Sequence, residues 1–342
     1  MEDSFTDLQQ SYFVQYVADH GYYWDDDAKP DGVFVDKDKK AGLSPPFLIE
    51  SPDTTGYYSK KILEKPALFL EFAEVEPTRE GILAFANEYG MLNLAGATEV
   101  LSPVYSFPSG GPMPRRRGLG MGVYHNRYKD GRDYFSVFGE PLRYWQEEIR
   151  DMRRVVALWN WWREGDADSL SQVIRWQGNS VSYALGDLEE IRDWFSGSRE
   201  KGIELGHLAF PGFQDWMLSR FRPGDCFLPA QYLLQKKINE KLKVHHTKPR
   251  LLMNEKNRLE PYLYPDSLIA ALWFQFYQAV VGEKKLKRCS VCGKWEDLTD
   301  RAERQRERWT RHAKCANMLR QRRWRERRKR EREGASNAEE ES

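Results

Sequence analysis

Cysteine is scarce. Four in 342 residues are too few for a disulfide framework, which small secreted domains build from dense, paired cysteines. Long apolar runs are missing as well: no stretch approaches the ~18 residues that a membrane span requires. The opening MEDSFTDLQQ is acidic and polar, without the apolar segment of a secretory signal. Net charge is nearly absent too, at +1 from 53 Lys and Arg against 52 Asp and Glu. These absences exclude a disulfide-stapled or membrane-embedded protein and predict a soluble chain in a reducing, cytoplasmic setting.

What is present is aromatic. Phe, Trp and Tyr make up 13% of the chain, with 12 Trp, which is enough to build a core and excludes a wholly disordered polypeptide. At roughly 150 residues per domain the length predicts two domains and a remainder. The near-zero charge conceals a division. Residues 284–332 hold 20 Lys and Arg against 7 Asp and Glu, a net of +13, and residues 333–342 add four Glu. Residues 1–283 therefore carry −8. An acidic body ending in a short basic module predicts a charged partner.

Residues 1–100 read as a mixed α+β region. Short pieces such as Tyr12-Phe13-Val14 and Gly32-Val33-Phe34-Val35 alternate with Asp, Lys and Pro clusters, the pattern of brief strands and turns. A helix is expected over 66–73, with Pro66 near its first turn. A second begins after Thr78 as N-cap, turns Ile82, Leu83, Phe85, Ala86 and Tyr89 inward, and stops at Gly90. Residues 101–122 hold four prolines, five glycines and Arg115-Arg116-Arg117. Gly118, Gly120 and Gly122 lack the preceding strand and following Gly-Lys-Ser/Thr of a phosphate-cradling loop, so this stretch reads as a loop or linker.

Residues 123–283 read as a mainly helical domain. Pro141 opens its most legible helix: Leu142, Trp145, Ile149, Met152, Val156, Trp159 and Trp162 recur every three or four positions until Gly165. A Trp stripe at that period predicts core rather than a base-stacking face. Further helices are expected over 188–195, 213–221 and 229–242, and a hairpin from 251–253 and 259–264 around a polar turn. A last helix follows Ser267, with Leu268, Leu272, Phe276 and Val280 at every fourth position and Gly282 at its end. Cys226 has no spaced partner and reads as a buried small side chain. The tandem His245-His246 reads as exposed strand polarity.

The chemistry concentrates after that helix. Cys289, Cys292, His312 and Cys315 form a C-x2-C-x19-H-x2-C pattern inside the basic module. A C-x2-C-Gly turn is a zinc knuckle, in which a short loop brings two thiolates onto one tetrahedral ion and Gly permits the tight turn. A second pair at i and i+3 sits together on the first turn of a helix. Knuckle, hairpin and ligand-bearing helix make a treble-clef-like finger. Four N/S ligands close the tetrahedron, so the expected Zn2+ is structural, and metal binding supplies folding energy that so small a core cannot. With no nucleophile elbow, paired-carboxylate motif or nucleotide loop in the chain, no enzyme is expected.

After Cys315 the chain becomes an Arg-rich run free of Pro and Gly until Gly334, and Arg is a good helix former. Arg320, Arg323, Arg327 and Arg330 fall at spacings of 3, 4 and 3 on one face, with Arg322 and Arg328 beside them. Such a basic C-terminal helix suits the phosphate backbone of DNA or RNA. The alternative is a protein-interaction module, antitoxin- or adaptor-like, whose Arg helix grips an acidic protein. Residues 333–342 read as an acidic, disordered tail. The fold class expected is thus mainly α with minor β (α+β): a helical body, a zinc finger at 284–332 and its basic helix.

Residues 265–332 resemble the bacterial CGNR-type zinc-finger proteins. The likeness rests on Cys289, Cys292-Gly293, Arg308-Trp309, Cys315-Ala316-Asn317 and the Arg cluster that follows. Where that family has Cys after the Trp, this chain has Thr310, and Ala316-Asn317-Met318 replaces Gly-Asn-Arg. His312 then supplies the missing ligand. The resemblance implies a DNA-binding regulator with a sensing or docking helical body, and it leaves the first 260 residues outside it.

Overall fold

The computed structural model describes residues 13–30, 45–65, 67–92, 98–102, 125–127, 133–177, 180–183, 203–204, 220–253 and 259–340. The chain divides into two compact units, Met1–Tyr277 and Gln278–Ser342. The expected strand at 32–35, the loop at 103–122, the helices at 188–195 and 213–219 and the turn at 254–257 lie outside the described residues.

In chain order the first unit contains β1 (Val14–Ala18), β2 (Tyr22–Asp25), β3 (Lys29–Pro30), β4 (Phe47–Glu50), β5 (Tyr57–Lys61), α1 (Leu68–Glu74) and α2 (Arg79–Tyr89). Next come β6 (Thr98–Ser102), β7 (His125–Arg127), β8 (Asp133–Pro141), α3 (Leu142–Glu164), α4 (Ala167–Val173), β9 (Ile174–Gln177), β10 (Ser180–Tyr183) and β11 (Ile203–Glu204). The unit ends with α5 (Phe227–Val244), β12 (Thr247–Met253), β13 (Leu259–Pro265) and α6 (Leu268–Val281), a helix that continues into the second unit.

The fold is α+β, with more sheet than the sequence pattern announces. An antiparallel sheet runs in the order β2-β4-β8-β6-β3, with β7 added to β8. It pairs Phe47 with Pro141 and Val100 with Val137. Strands on both sides of the Pro/Gly-rich stretch share this sheet, so residues 1–100 and 123–283 do not stand as separate bodies, and Leu101 and Ser102 are strand rather than linker.

Local signals hold where the helices are amphipathic. The Thr78 side chain accepts a hydrogen bond from Gly81 N (3.2 Å) at the start of α2, an N-cap that offsets one orphan donor. Pro141 precedes α3 with extended backbone, and Gly165 ends it at φ +72°. Gly165 N donates to Trp162 O and Asp166 N to Trp161 O, the paired bonds of a Schellman motif. Trp145, Ile149, Met152, Val156 and Trp159 are buried as the stripe predicts, joined by Val155 and Leu158. Trp159 meets Phe69 of α1 and Phe276 of α6, and Trp145 meets Phe72 and Phe85. This aromatic cluster is the core of the first unit, and truncating one such ring to Ala costs about 3–5 kcal/mol.

His245 is buried, 5% exposed, at the end of α5 rather than on a strand surface, while its neighbour His246 is exposed. The Glu148 carboxylate on α3, 3.2 Å from His245 Nε2, draws it in. At the end of α6 the left-handed residue is not Gly282 but Glu283, at φ +45°. Glu283 N donates to Val280 O and Lys284 N to Ala279 O, so the Schellman turn forms one residue later than the glycine suggests.

Candidate metal centre

The second unit is built around a tight turn. β14 (Leu286–Arg288) and β15 (Trp295–Asp297) pair antiparallel, with Arg288 opposite Trp295. Residues 289–293 form the knuckle between them: Cys289 N donates to Lys294 O and Gly293 N to Cys289 O. Gly293 sits at φ +72°. A Cβ there would meet the Arg288 guanidinium no closer than 3.5 Å, so the backbone, not crowding, demands glycine. The core beneath is small, with Leu286, Leu298 and Cys289 buried.

A short helix, α7 (Glu303–Arg308), follows, and Lys287 Nζ and Arg306 Nη1 tie it back by donating to Arg306 O and Thr299 O. The chain then passes the knuckle, where Ser290 N donates to Thr310 O (2.9 Å), and enters α8 (Ala313–Glu340) directly after His312.

This path brings all four sequence-predicted ligands together. The donor atoms of Cys289, Cys292, His312 and Cys315 lie within 4.8 Å of one another and can hold a metal ion. His312 Nδ1 lies 3.4 Å from Cys292 Sγ and 3.9 Å from Cys315 Sγ. Burial pushes the Cys289 thiol up, but backbone N–H groups of Cys292, Val291 and His312 more than offset it and bring it down to about 6. These donors favour the thiolate, the form that ligates metals. Cys315 moves the other way, to about 11, because the Cys292 thiol, burial and Cys289 all oppose a second negative charge beside it.

One participant escapes the sequence reading. His312 Nε2 lies 3.2 Å from Glu296 Oε2 on β15. A carboxylate there holds the proton on Nε2 and leaves the Nδ1 lone pair facing the thiols, the usual orientation device for an imidazole ligand. The Trp309 ring packs edge-on against the imidazole at 5.4 Å. Thr310, next after Trp309, accepts through its hydroxyl from Arg311 Nε and is exposed. Nothing in the local spacing marks Glu296, because its partner arrives 16 residues later, just ahead of α8.

The arginines of α8 separate into different situations. Arg320, Arg323 and Arg327 are exposed, and Arg320 Nη2 donates to Asn317 Oδ1. Arg322 is paired with Glu326 at 3.0 Å. Arg328 lies over the Trp324 ring, 4.5 Å from its centroid. Arg330 is within the helix, beyond the described side chains. The helix does not stop at Arg332: it runs to Glu340, so the expected disordered tail is helical through that residue.

The first unit holds its own buried ionic cluster. Glu148 on α3 accepts from Lys241 Nζ (2.8 Å), His245 Nε2 (3.2 Å) and Trp273 Nε1 (3.2 Å). Lys241 also reaches Asp151 at 2.7 Å. Burial alone would raise the Glu148 carboxyl, but the His245 hydrogen bond and the Lys241 charge hold it down at about 2. Glu148, Lys241, His245, Trp273 and Asp151 thus form one hydrogen-bonded structural network, which Asp151 extends to Arg154 at 3.8 Å. Cys226, buried as expected, has its thiol pushed up by burial, which leaves it a poor nucleophile.

Among the described residues no helix is long and apolar enough to cross a membrane. No family model, curated protein or solved structure matches the chain.

Proposed function

We propose that the chain is a zinc-stabilised nucleic-acid-binding protein, a DNA-binding regulator in which the first unit senses or docks. Zn2+ is the ion that best suits three Cys and one His: thiolates select soft metals, and four such ligands make a closed structural site. Hairpin, knuckle and helix follow one another as in a treble clef, which supports that reading of the finger. The observation that carries the proposal is the junction at residue 312. There the metal-donor cluster clamps the first turn of a helix that presents Arg320, Arg323 and Arg327 to solvent. A bound ion supplies folding energy and fixes where the helix begins. The +13 charge of residues 284–332 then supplies the electrostatic footprint of phosphate binding.

Native mass spectrometry of the full chain should find one zinc per molecule. His312→Ala should release it and Thr310→Ala should not, while Glu296→Ala should lower affinity by about 10–100-fold. In fluorescence anisotropy with a duplex, binding should weaken steeply with salt. Converting Arg320, Arg323, Arg327 and Arg330 to Gln should reduce the log–log salt slope by ~3 to 4, at roughly 0.9 per phosphate contact. If the zinc-loaded chain binds no nucleic acid at low salt yet retains an acidic protein through these arginines, the interaction-module reading replaces this one.

A further inference from the structure

Phosphate contacts need arginine but not tryptophan, and α8 carries an indole in water. Trp324 is 55% exposed. With 3.6 residues per turn, Arg320, Arg327 and Arg328 at i−4, i+3 and i+4 lie on its side of the helix. Cys315, nine positions earlier, falls on the opposite side, so the ring stands away from the metal donors. The guanidinium of Arg328 rests against the ring at 4.5 Å, and more than half of the residue's surface remains open. The ring contributes nothing to the core of either unit.

A duplex presents base edges and phosphates, since its base faces are already stacked. A single strand presents its faces as well, and it binds where a flat ring stands among cations. We propose that α8 binds single-stranded nucleic acid, with an unpaired base stacked on Trp324 while Arg320, Arg327 and Arg328 hold the flanking phosphates. This rests on the nucleic-acid reading above and names the form of nucleic acid that the same helix takes.

The test uses the full zinc-loaded chain, labelled 20-mers of dT and rU, an abasic strand of equal length, and a 20-base-pair duplex, all at one salt concentration. Trp324→Ala should weaken binding to dT and rU about tenfold, in line with the loss of one base–aromatic stack. Trp324→Phe should lose much less. Duplex affinity and the salt slope should stay unchanged, because the phosphate contacts remain. The wild-type chain should bind the abasic strand about tenfold more weakly than dT, a comparison that needs no variant to fold. The inference fails if Trp324→Ala leaves single-strand affinity intact, if it weakens the duplex equally, or if abasic and dT strands bind alike. Arginine-dependent duplex binding would survive any of those results. Absence of all nucleic-acid binding at low salt would remove both readings together.

Discussion

Glu148 and Glu296 do opposite work with the same functional group. Glu296 leans on one imidazole nitrogen so that the other faces the thiols, whereas Glu148 is enclosed by Lys241, His245 and Trp273. The Glu148 carboxyl lies at about 2 against an ordinary 4.5. Its folded pKa is depressed, so the unfolded chain takes up the proton first as pH falls. The stabilisation is therefore complete above about pH 4.5 and is lost progressively as pH drops toward 2, on the order of 3 kcal/mol in all. Urea unfolding followed by Trp fluorescence between pH 6 and 2.5 should show this slope. Glu148→Gln should be less stable at neutral pH, since it removes the carboxylate charge facing His245 and leaves Lys241 with Asp151 alone, and it should lose part of the acid slope. An unchanged slope in that variant would place the titrating group elsewhere. Neither carboxylate is legible in the sequence, because each finds its partner across a gap of chain that periodicity does not encode. His245 is misread for the same reason: two adjacent histidines look like surface until Glu148 is brought beside one of them.

Elements with helical period and punctuated ends are the legible part of this chain. Pro141, the Trp stripe and Gly165 locate α3 nearly to the residue, and Thr78 and Gly90 do so for α2. Strands are less so. β6 and β8 belong to one sheet although about 30 residues separate them, and their pairing is set by register across that gap rather than by local pattern. The end of α6 shows how a glycine misleads when it lies one position early. Glu283 bears the left-handed backbone at φ +45°, a conformation that costs a side-chain-bearing residue roughly 1–2 kcal/mol. Glycine there escapes that cost but adds freedom to the unfolded chain. Glu283→Gly should therefore stabilise this turn by about 0.5–1 kcal/mol, read as a higher denaturant midpoint for the second unit. The opposite substitution, Gly282→Ala, would gain little, since a Cβ at that position meets Gln278 O at 3.0 Å.

Across the whole molecule the two units draw on different sources of stability. The first buries Trp145, Trp159 and Trp273 with Phe69, Phe72 and Phe276 around them, a core sufficient for itself. Among the described residues the second buries Ala279, Leu286, Leu298 and Cys289, and most of α8 as far as Arg328 is solvent-exposed. Apolar area of that size does not offset the entropy of ordering a hairpin and two helices. An ion held by its donor cluster would supply the difference: bound at 100 times its dissociation constant, it adds about 2.7 kcal/mol to the state that holds it. Two thermal transitions are therefore expected, and only the one belonging to the second unit should move with zinc. Chelation should abolish that transition and lower helical ellipticity as α8 loses its anchored first turn. The near-ultraviolet Trp signal of the first unit should persist, with a local change from Trp295 and Trp309. Adding zinc back should restore both. A single transition that shifts as a whole with zinc, or loss of the entire Trp signal on chelation, would mean instead that the first unit depends on the metal-bound finger for its own fold.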